Sequence, residues 1–161
     1  MDLKNCAAVL FVKDAGKAKD FYVNVLGLTV IADFGGLNFV FREGFAVWQP
    51  MPENIVQQRL GGNMYDKSLT SRFELCFETG DIDAVYERLK AEGVTFLHEV
   101  NTELWGQRNI RFYDHDGHLL EVGEAMPVFL ARIYEEENRD IEATAKRTYM
   151  QADDIKHILS L

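Results

Sequence analysis

The chain has 161 residues, of which 47% are hydrophobic, and a formal net charge of −9. This length predicts one ordinary domain that buries enough core to fold without disulfides. The acidic balance argues against nonspecific binding to nucleic acids or anionic membranes, which depends on basic surface. Asp2 and Lys4 interrupt the N-terminus and no apolar run approaches about 20 residues, so neither a signal peptide nor a membrane span is predicted. Cys6 and Cys76 have neither metal-type nor disulfide spacing, which favours a reducing, cytoplasmic location.

The first half of the chain predicts the element order β-α-β-β-β. An apolar strand over residues 6–12 is followed by Asp14, which is placed to cap a helix that ends at Gly27. The helix has the apolar spacing of one that packs on a sheet. Its stripe consists of Ala18, Phe21, Tyr22, Val25 and Leu26. Three short strands are predicted next, with glycine-containing turns between them, at about 28–34, 37–42 and 45–49.

Residues 51–71 lack a clear period and contain Pro52, Gly61 and Gly62. A connection of this length inside a compact domain is usually either functional or a linker. Because it joins two similar halves, we predict a linker.

The second half repeats the same order of elements. A strand over 72–78 leads to a helix over 82–91, which Asp81 can cap and Gly93 can end. Three strands follow, with Asp116-Gly117 as the last turn, near 94–100, 107–113 and 118–122. The repeat is longer than the about 20–50 residues of a solenoid unit, so each copy is half of a domain.

The last part of the chain lies outside the repeat and predicts helices. Pro127 suits a first helical position, and two shorter helices are predicted over 141–149 and 152–160. We therefore predict a domain over 1–126, with modules at about 5–50 and 72–125, and a helical C-terminal extension over 127–161. The apolar stripe Val128-Phe129-Tyr134 of this extension predicts a homodimer.

Several motifs of the two halves together resemble one known family. They are Val12-Lys13-Asp14, Phe21-Tyr22, Leu26-Gly27-Leu28, Asp81-Ile82-Asp83, Tyr86, Leu89 and the run Phe112-Tyr113-Asp114-His115-Asp116-Gly117-His118-Leu119-Leu120-Glu121. Over about residues 5–125 the chain resembles the vicinal oxygen chelate superfamily, which includes glyoxalase I, bleomycin-resistance proteins, extradiol dioxygenases and fosfomycin-resistance enzymes. The resemblance implies an α+β fold in which two β-α-β-β-β modules pair into a cupped mixed sheet.

In metal-dependent members of this superfamily, the first and last strands of each half supply four ligands. The resemblance places the corresponding positions at Ala7, Trp48, Glu74 and Glu121. Ala7 and Trp48 have no donor atom, so no resident metal is predicted. Glu74 and Glu121 would form only a partial site, and Zn²⁺, Ni²⁺ or Mn²⁺ belongs to the alternative function alone.

Strand alternation predicts which side chains line the concave face. They include Phe11, Trp48, Glu74, Cys76, Arg111 and Glu121. Arg111 pairs with Glu121 or Glu74, or else these carboxylates meet water or a ligand, and the sequence leaves these alternatives open. Trp48 is a core aromatic or a stacking platform, and Trp105 contacts a ligand or packs as a lid. His98 is predicted to be isolated, and His118 to be structural.

Two functions remain open after these observations. The first is a metal-free protein of the glyoxalase/bleomycin-resistance type that binds a small molecule of unknown identity, in a cup lined by Trp48, Glu74 and Glu121. Phe11, Trp105 and Arg111 would add contacts to that ligand. The alternative is a metal-dependent lyase or isomerase of the glyoxalase I kind, in which Glu74 and Glu121 are ligands and one carboxylate moves a proton. Whether the protein is an enzyme is not decided by the sequence.

Overall fold

The computed structural model describes residues 8–66 and 74–161, which contain two four-stranded sheets with order β1-β4-β3-β2 and β5-β8-β7-β6. The strands of the first sheet are β1 (Ala8–Phe11), β2 (Val30–Phe34), β3 (Asn38–Phe41) and β4 (Phe45–Trp48). Those of the second are β5 (Glu74–Thr79), β6 (Thr95–Thr102), β7 (Arg108–Tyr113) and β8 (Leu119–Glu124). The predicted α+β fold class is confirmed, with two β-α-β-β-β modules followed by C-terminal helices. Cys6 and Ala7 lie outside the described residues.

By its internal contacts the chain forms two compact units. The first consists of Met1–Glu74 and Tyr113–Leu119, and the second of Leu75–Phe112 and Leu120–Leu161. The predicted division into 1–126 and 127–161 stays a prediction.

The helix of the first unit begins where the sequence predicts. Helix α1 (Ala15–Asp20) is capped by Asp14, whose Oδ1 accepts a hydrogen bond from the Lys17 backbone N–H at 2.9 Å. It continues as a π-helical turn over Phe21–Val25, which the apolar pattern does not predict. The chain leaves the helix at Gly27, whose φ of 75° favours glycine.

The first sheet packs one face on this helix and leaves the other more open. Strands β1 and β4 are parallel, with Phe11 opposite Trp48 and Val9 opposite Ala46. The helix-facing residues are buried, namely Leu10, Phe39, Phe41, Phe45 and Val47. On the other face Val9 is 44% exposed, and Phe11 and Trp48 are half-buried.

The connection between the modules is more regular than predicted. Helix α2 (Ile55–Leu60) and a 3-10 turn (Gly61–Tyr65), which the sequence did not predict, occupy part of it, and its role as a linker stays a prediction. The helix is only six residues long and Asn54 makes no side-chain cap, so neither a period nor a capping signal stands out in the sequence. Residues 67–71 of the predicted linker lie outside the described residues.

In the second unit, helix α3 (Ile82–Ala91) matches its predicted range and is capped by Asp81. Three C-terminal helices follow, α4 (Met126–Glu136), α5 (Ile141–Thr148) and α6 (Ala152–Leu159). Helix α4 begins at Met126, so Pro127 takes the second helical position and not the first.

The C-terminal helices enclose their own small core. This C-terminal cluster consists of Phe129, Leu130, Ile133 and Ile155, none more than 1% exposed. Phe129, one residue of the apolar stripe from which we predicted a homodimer, is therefore covered by its own chain, while Val128 is 40% exposed. Among the described residues, no helix is both long and apolar enough to cross a membrane.

Candidate functional site

The second sheet brings three potential ligand residues together. Glu74 begins β5, Cys76 lies two residues along the same strand, and Glu121 lies on the neighbouring strand β8. Their carboxylate and thiol ligand atoms all lie within 4.8 Å of one another. We call these three residues the Glu-Cys-Glu group. Glu74 and Glu121 are half-buried and Cys76 is exposed, so solvent reaches the group.

Arg111 on β7 links this group to a second carboxylate. Its Nη2 forms an ion pair with Glu121, and its Nη1 lies 3.0 Å from Oε1 of Glu103. Asn109 donates from Nδ2 to the same two carboxylates, at 2.8 Å to Glu103 and 3.2 Å to Glu121. The pairing of Arg111 with Glu121 is one of the alternatives that the sequence left open. We call these four residues the Arg111 network.

Glu103 is a site residue that sequence analysis missed. It follows the last residue of β6, so strand alternation does not predict where its side chain points. Hydrogen bonds from Asn109 and Arg111 outweigh partial burial and hold the pKa of Glu103 below its ordinary value. Glu103 is therefore a carboxylate that stays charged beside the guanidinium.

His98 lies beside Arg111, and Asn109 lies between the two carboxylates that Arg111 contacts. His98 Nε2 lies 3.4 Å from Arg111 Nη1, so the prediction that His98 is isolated is wrong. Its Nδ1 lies 2.7 Å from the Glu99 carbonyl oxygen, which assigns the proton to Nδ1 and leaves a lone pair on Nε2 toward Arg111. Asn109 is 1% exposed and its Oδ1 has no hydrogen-bond partner among the described residues.

The more open face of the first sheet carries the predicted aromatic pair. The rings of Phe11 and Trp48 lie with centroids 5.8 Å apart and an interplanar angle of 55°. Asn38, opposite Trp48 on β3, has a buried Oδ1 with no hydrogen-bond partner in the described part of the chain. This face is apolar with one unsatisfied acceptor. Stacking of a ligand on Trp48 stays a prediction.

Comparison with known proteins decides the family. The model of the glyoxalase-like domain matches residues 5–127, which is most of the chain. The chain belongs to the glyoxalase-like domain family. The uncharacterized protein YetH of Bacillus subtilis strain 168 is 30% identical over 120 residues, covering 71% of this chain and 92% of YetH. The resemblance to the vicinal oxygen chelate superfamily is thereby confirmed.

Two solved structures resemble this glyoxalase-like chain over most of their length. A protein of unknown function from Agrobacterium tumefaciens strain C58 is 32% identical with a TM-score of 0.65, covering 78% of this chain and 97% of its own. A member of the glyoxalase/bleomycin resistance protein/dioxygenase superfamily from Sphaerobacter thermophilus is 25% identical with a TM-score of 0.53, covering 77% and 98%.

The donor atoms of this glyoxalase-like chain fit a metal in part. Glu74, Cys76 and Glu121 offer three ligand atoms, a set that suits Zn²⁺, which accepts both thiolate and carboxylate. Cys76 was not counted as a ligand from the sequence, although its i, i+2 spacing from Glu74 places both on one face of β5. Against a metal, Arg111 and Asn109 already occupy Glu121.

Trp105 contacts the C-terminal helices. It is half-buried, packs against the C-terminal cluster and donates from Nε1 to Gln107 Oε1 at 3.1 Å. These contacts favour the packing interpretation of Trp105 over direct contact with a ligand.

In the first unit, a buried network joins Tyr22, Asp114 and His118. Oδ2 of Asp114 accepts hydrogen bonds from Tyr22 Oη at 2.9 Å and His118 Nδ1 at 2.8 Å. Oδ1 accepts from the backbone N–H groups of Asp116 at 3.0 Å and His118 at 2.8 Å. His118 is engaged within the fold, as predicted for a structural histidine.

Proposed function

We propose that this glyoxalase-like chain is a metal-free binding protein that takes a small cationic molecule at the Glu-Cys-Glu group. The observation that carries the proposal is a concentration of carboxylates. Ligand atoms of Glu74 and Glu121 lie within 4.8 Å of each other, and Glu121 and Glu103 both contact Arg111. A cation would be attracted to the negative potential around these carboxylates.

Partial burial strengthens the attraction between these carboxylates and a cation. The side chains of Glu103 and Glu121 are 19% and 16% exposed, so their charges are only partly screened by water. A carboxylate in such a place gains more from a cationic partner than one on the open surface. A ligand cation about 4 Å from Glu121 would gain about 1–4 kcal/mol of Coulomb energy and needs no hydrogen-bond donor.

Glu121→Gln is expected to weaken binding of a cationic probe by about tenfold or more, because it removes the Coulomb attraction of one carboxylate, and to leave a neutral probe unaffected. The probes are N-methylquinolinium and quinoline, which share a flat bicyclic ring and differ in charge at neutral pH. Dissociation constants are measured by calorimetry or fluorescence titration. Glu92→Gln, an exposed glutamate just after α3, removes the same charge away from the group and should change neither constant.

The same titrations can also contradict the proposal that Glu121 binds the ligand. If Glu121→Gln only lowers the free energy of unfolding and both affinities are unchanged, Glu121 serves only as the partner of Arg111. Running the titration in a Trp105→Phe background assigns any change in intrinsic fluorescence to Trp48. A change there would support Trp48 as a stacking platform.

A metal-dependent lyase or isomerase of the glyoxalase I kind is the second candidate. The observation that favours it is the 4.8 Å grouping of Glu74, Cys76 and Glu121, which would hold Zn²⁺ after Glu121 leaves Arg111. Bound Zn²⁺ would act as a Lewis acid on a substrate oxygen. In this alternative Glu74 or Glu121 moves the proton. Arg111 would be a cationic partner for the carboxylate that leaves the metal to do so.

The purified protein is expected to contain less than one equivalent of divalent metal, because Glu121 is occupied by Arg111 and Asn109. Metal analysis of protein purified without chelators gives the measurement. Added Zn²⁺ should bind weakly to the wild type and more weakly to Cys76→Ser. One tightly held equivalent of zinc, nickel or manganese that is lost in Cys76→Ser would instead support the lyase or isomerase.

The homodimer and the cytoplasmic location remain predictions. Phe129 is buried inside its own chain and is not available to a dimer interface, whereas Val128 is exposed and is available. Light scattering on the full chain measures the assembly directly.

A further inference from the structure

The loop between β6 and β7 is a closed turn that carries Glu103 at its start. The Glu103 backbone N–H donates to the Gln107 carbonyl at 2.9 Å, and the Gly106 N–H donates to the Glu103 carbonyl at 2.8 Å. Glu103 and Gly106 are therefore tied to each other by the backbone. A contact that holds Gly106 also restrains Glu103.

Helix α4 holds this loop through Arg132. Its Nη2 donates to the Gly106 carbonyl at 2.7 Å and to Glu124 Oε2 at 2.6 Å. Glu124 is 5% exposed and its Oε2 also accepts the Arg108 backbone N–H at 3.0 Å. One guanidinium thus joins the loop, the last residue of β8 and the start of β7.

Close packing adds a second contact between the loop and α4. A Cβ placed on Gly106 would lie 2.9 Å from Cδ1 of Ile133, and the φ of Gly106 is 97°. Only glycine allows the backbone to approach the helix this closely in this conformation. Trp105 packs on the same cluster of helix residues.

The other end of the loop reaches the Arg111 network. Glu103 Oε1 accepts from Asn109 Nδ2 at 2.8 Å and lies 3.0 Å from Arg111 Nη1. We propose that Arg132 is a positioning residue, which through Gly106 keeps Glu103 on Arg111 and so sets the affinity of the Glu-Cys-Glu group for cations. The readout by cation affinity rests on the proposed function, while the positioning of Glu103 does not.

The effect on affinity follows from the charges. When the loop is released, Glu103 leaves Arg111 and removes one carboxylate from the neighbourhood of Glu121. Arg111 then loses a carboxylate partner, and its charge neutralises Glu121 more completely. A cation should bind less well, whereas a neutral ligand of the same shape should be unaffected.

Arg132→Gln is expected to lower the affinity for N-methylquinolinium about fivefold and to leave quinoline unchanged. Glu103→Gln should give a similar loss, and the double variant should lose no more than the larger single loss because both act through one contact. Arg139→Gln is the matched control. It removes the same charge as Arg132→Gln, but Arg139 pairs with the exposed Glu135 and not with the loop. Additive losses in the double variant would overturn the proposal.

A measurement without ligand separates this proposal from the proposed function. Glu103 faces Arg111 and Asn109 on β7 and His98 on β6, and its carboxyl group can be titrated by NMR. Its pKa should rise toward the ordinary value in Arg132→Gln and stay low in Arg139→Gln. If the wild type binds neither probe, the proposed function fails, and this titration still decides the role of Arg132.

A milder variant covers the case in which Arg132→Gln does not fold. Arg132→Lys keeps the charge, but a single ammonium lacks the planar fork that donates to both Gly106 and Glu124. We expect an intermediate rise in the pKa of Glu103. If both variants fold, an unchanged pKa of Glu103 in both overturns the positioning role. If Arg132→Gln does not fold, an unchanged pKa in Arg132→Lys overturns it.

Discussion

Asp114→Asn is expected to lower the free energy of unfolding by about 3–5 kcal/mol, because it removes the charge from a buried pair. Asp114 is 8% exposed and its two oxygens accept four hydrogen bonds, from Tyr22 Oη, His118 Nδ1 and two backbone N–H groups. An amide has one oxygen and would turn its NH₂ group toward donors. Urea unfolding of the wild type and the variant measures the loss.

The control for this variant lies in the same turn. Asp116 accepts the Lys13 backbone N–H at 3.1 Å in an exposed position, so Asp116→Asn should cost less than about 1 kcal/mol. Equal losses in the two variants would mean that the buried network contributes no more than an ordinary turn residue.

The same network predicts a pH dependence with two limbs. Burial raises the pKa of Asp114, but hydrogen bonds and charge from His118 outweigh it and leave this pKa below its ordinary value. Burial lowers the pKa of His118, but the hydrogen bond and charge of Asp114 outweigh it and leave this pKa raised. The Asp114 contribution is present above its unfolded pKa and is lost as pH falls through its folded pKa. The His118 contribution is present below its unfolded pKa and is lost as pH rises through its folded pKa.

The contribution of the network should therefore be greatest between about pH 4 and 6.5, the ordinary pKa values of the two groups. Urea unfolding at pH 5.5 and pH 8.5 should show the wild type losing stability at the higher pH. Asp114→Asn should lose less between these two values. An identical pH dependence in both proteins would contradict the role of this pair.

Phe129→Ala is expected to cost about 3–5 kcal/mol, because it opens a cavity in the C-terminal cluster. Phe129 is 1% exposed and packs with Leu130, Ile133 and Ile155, which are completely buried. Val128→Ala is the control on the same helix, since Val128 is 40% exposed and should cost less than about 1 kcal/mol. Chemical unfolding, followed by intrinsic tryptophan emission, measures both.

The comparison tests whether the extension is part of the folded core. Should Phe129→Ala cost no more than Val128→Ala, the C-terminal cluster would contribute little to the stability of its unit. The positioning role of Arg132 would then lose its rigid support.

Much of the fold was predictable because its signals are local. Asp14 and Asp81 each precede an amphipathic helix, and each caps it as predicted. Gly27 and Gly93 each adopt positive φ where a helix ends. These residues act within a few positions of themselves, so their pattern can be read along the chain.

The elements that were missed depend on contacts that a pattern does not contain. The π-helical turn at Phe21–Val25 has the same apolar residues as a regular helix, and only the pairing of its backbone groups differs. Helix α2 is too short to display a period and has no side-chain cap.

The candidate site was predictable where it lies on strands. Alternation placed Glu74 and Cys76 on one face of β5, and the Arg111–Glu121 pair was one of the alternatives. Glu103 lies in a loop, and the position of a loop side chain depends on tertiary contacts. In this chain Asn109 and Arg111 contact the Glu103 side chain, and Arg132, 29 positions after Glu103, contacts Gly106 of the same loop.

The first compact unit consists of two separate stretches, Met1–Glu74 and Tyr113–Leu119, and this sets an order on its assembly during translation. The ribosome delivers the N-terminal stretch first. The buried hydroxyl of Tyr22 then lacks its acceptor until Asp114, 92 residues later, leaves the exit tunnel. A nascent chain that ends before residue 113 therefore holds an unfinished N-terminal half. Completion of that half waits for most of the second module to be synthesised.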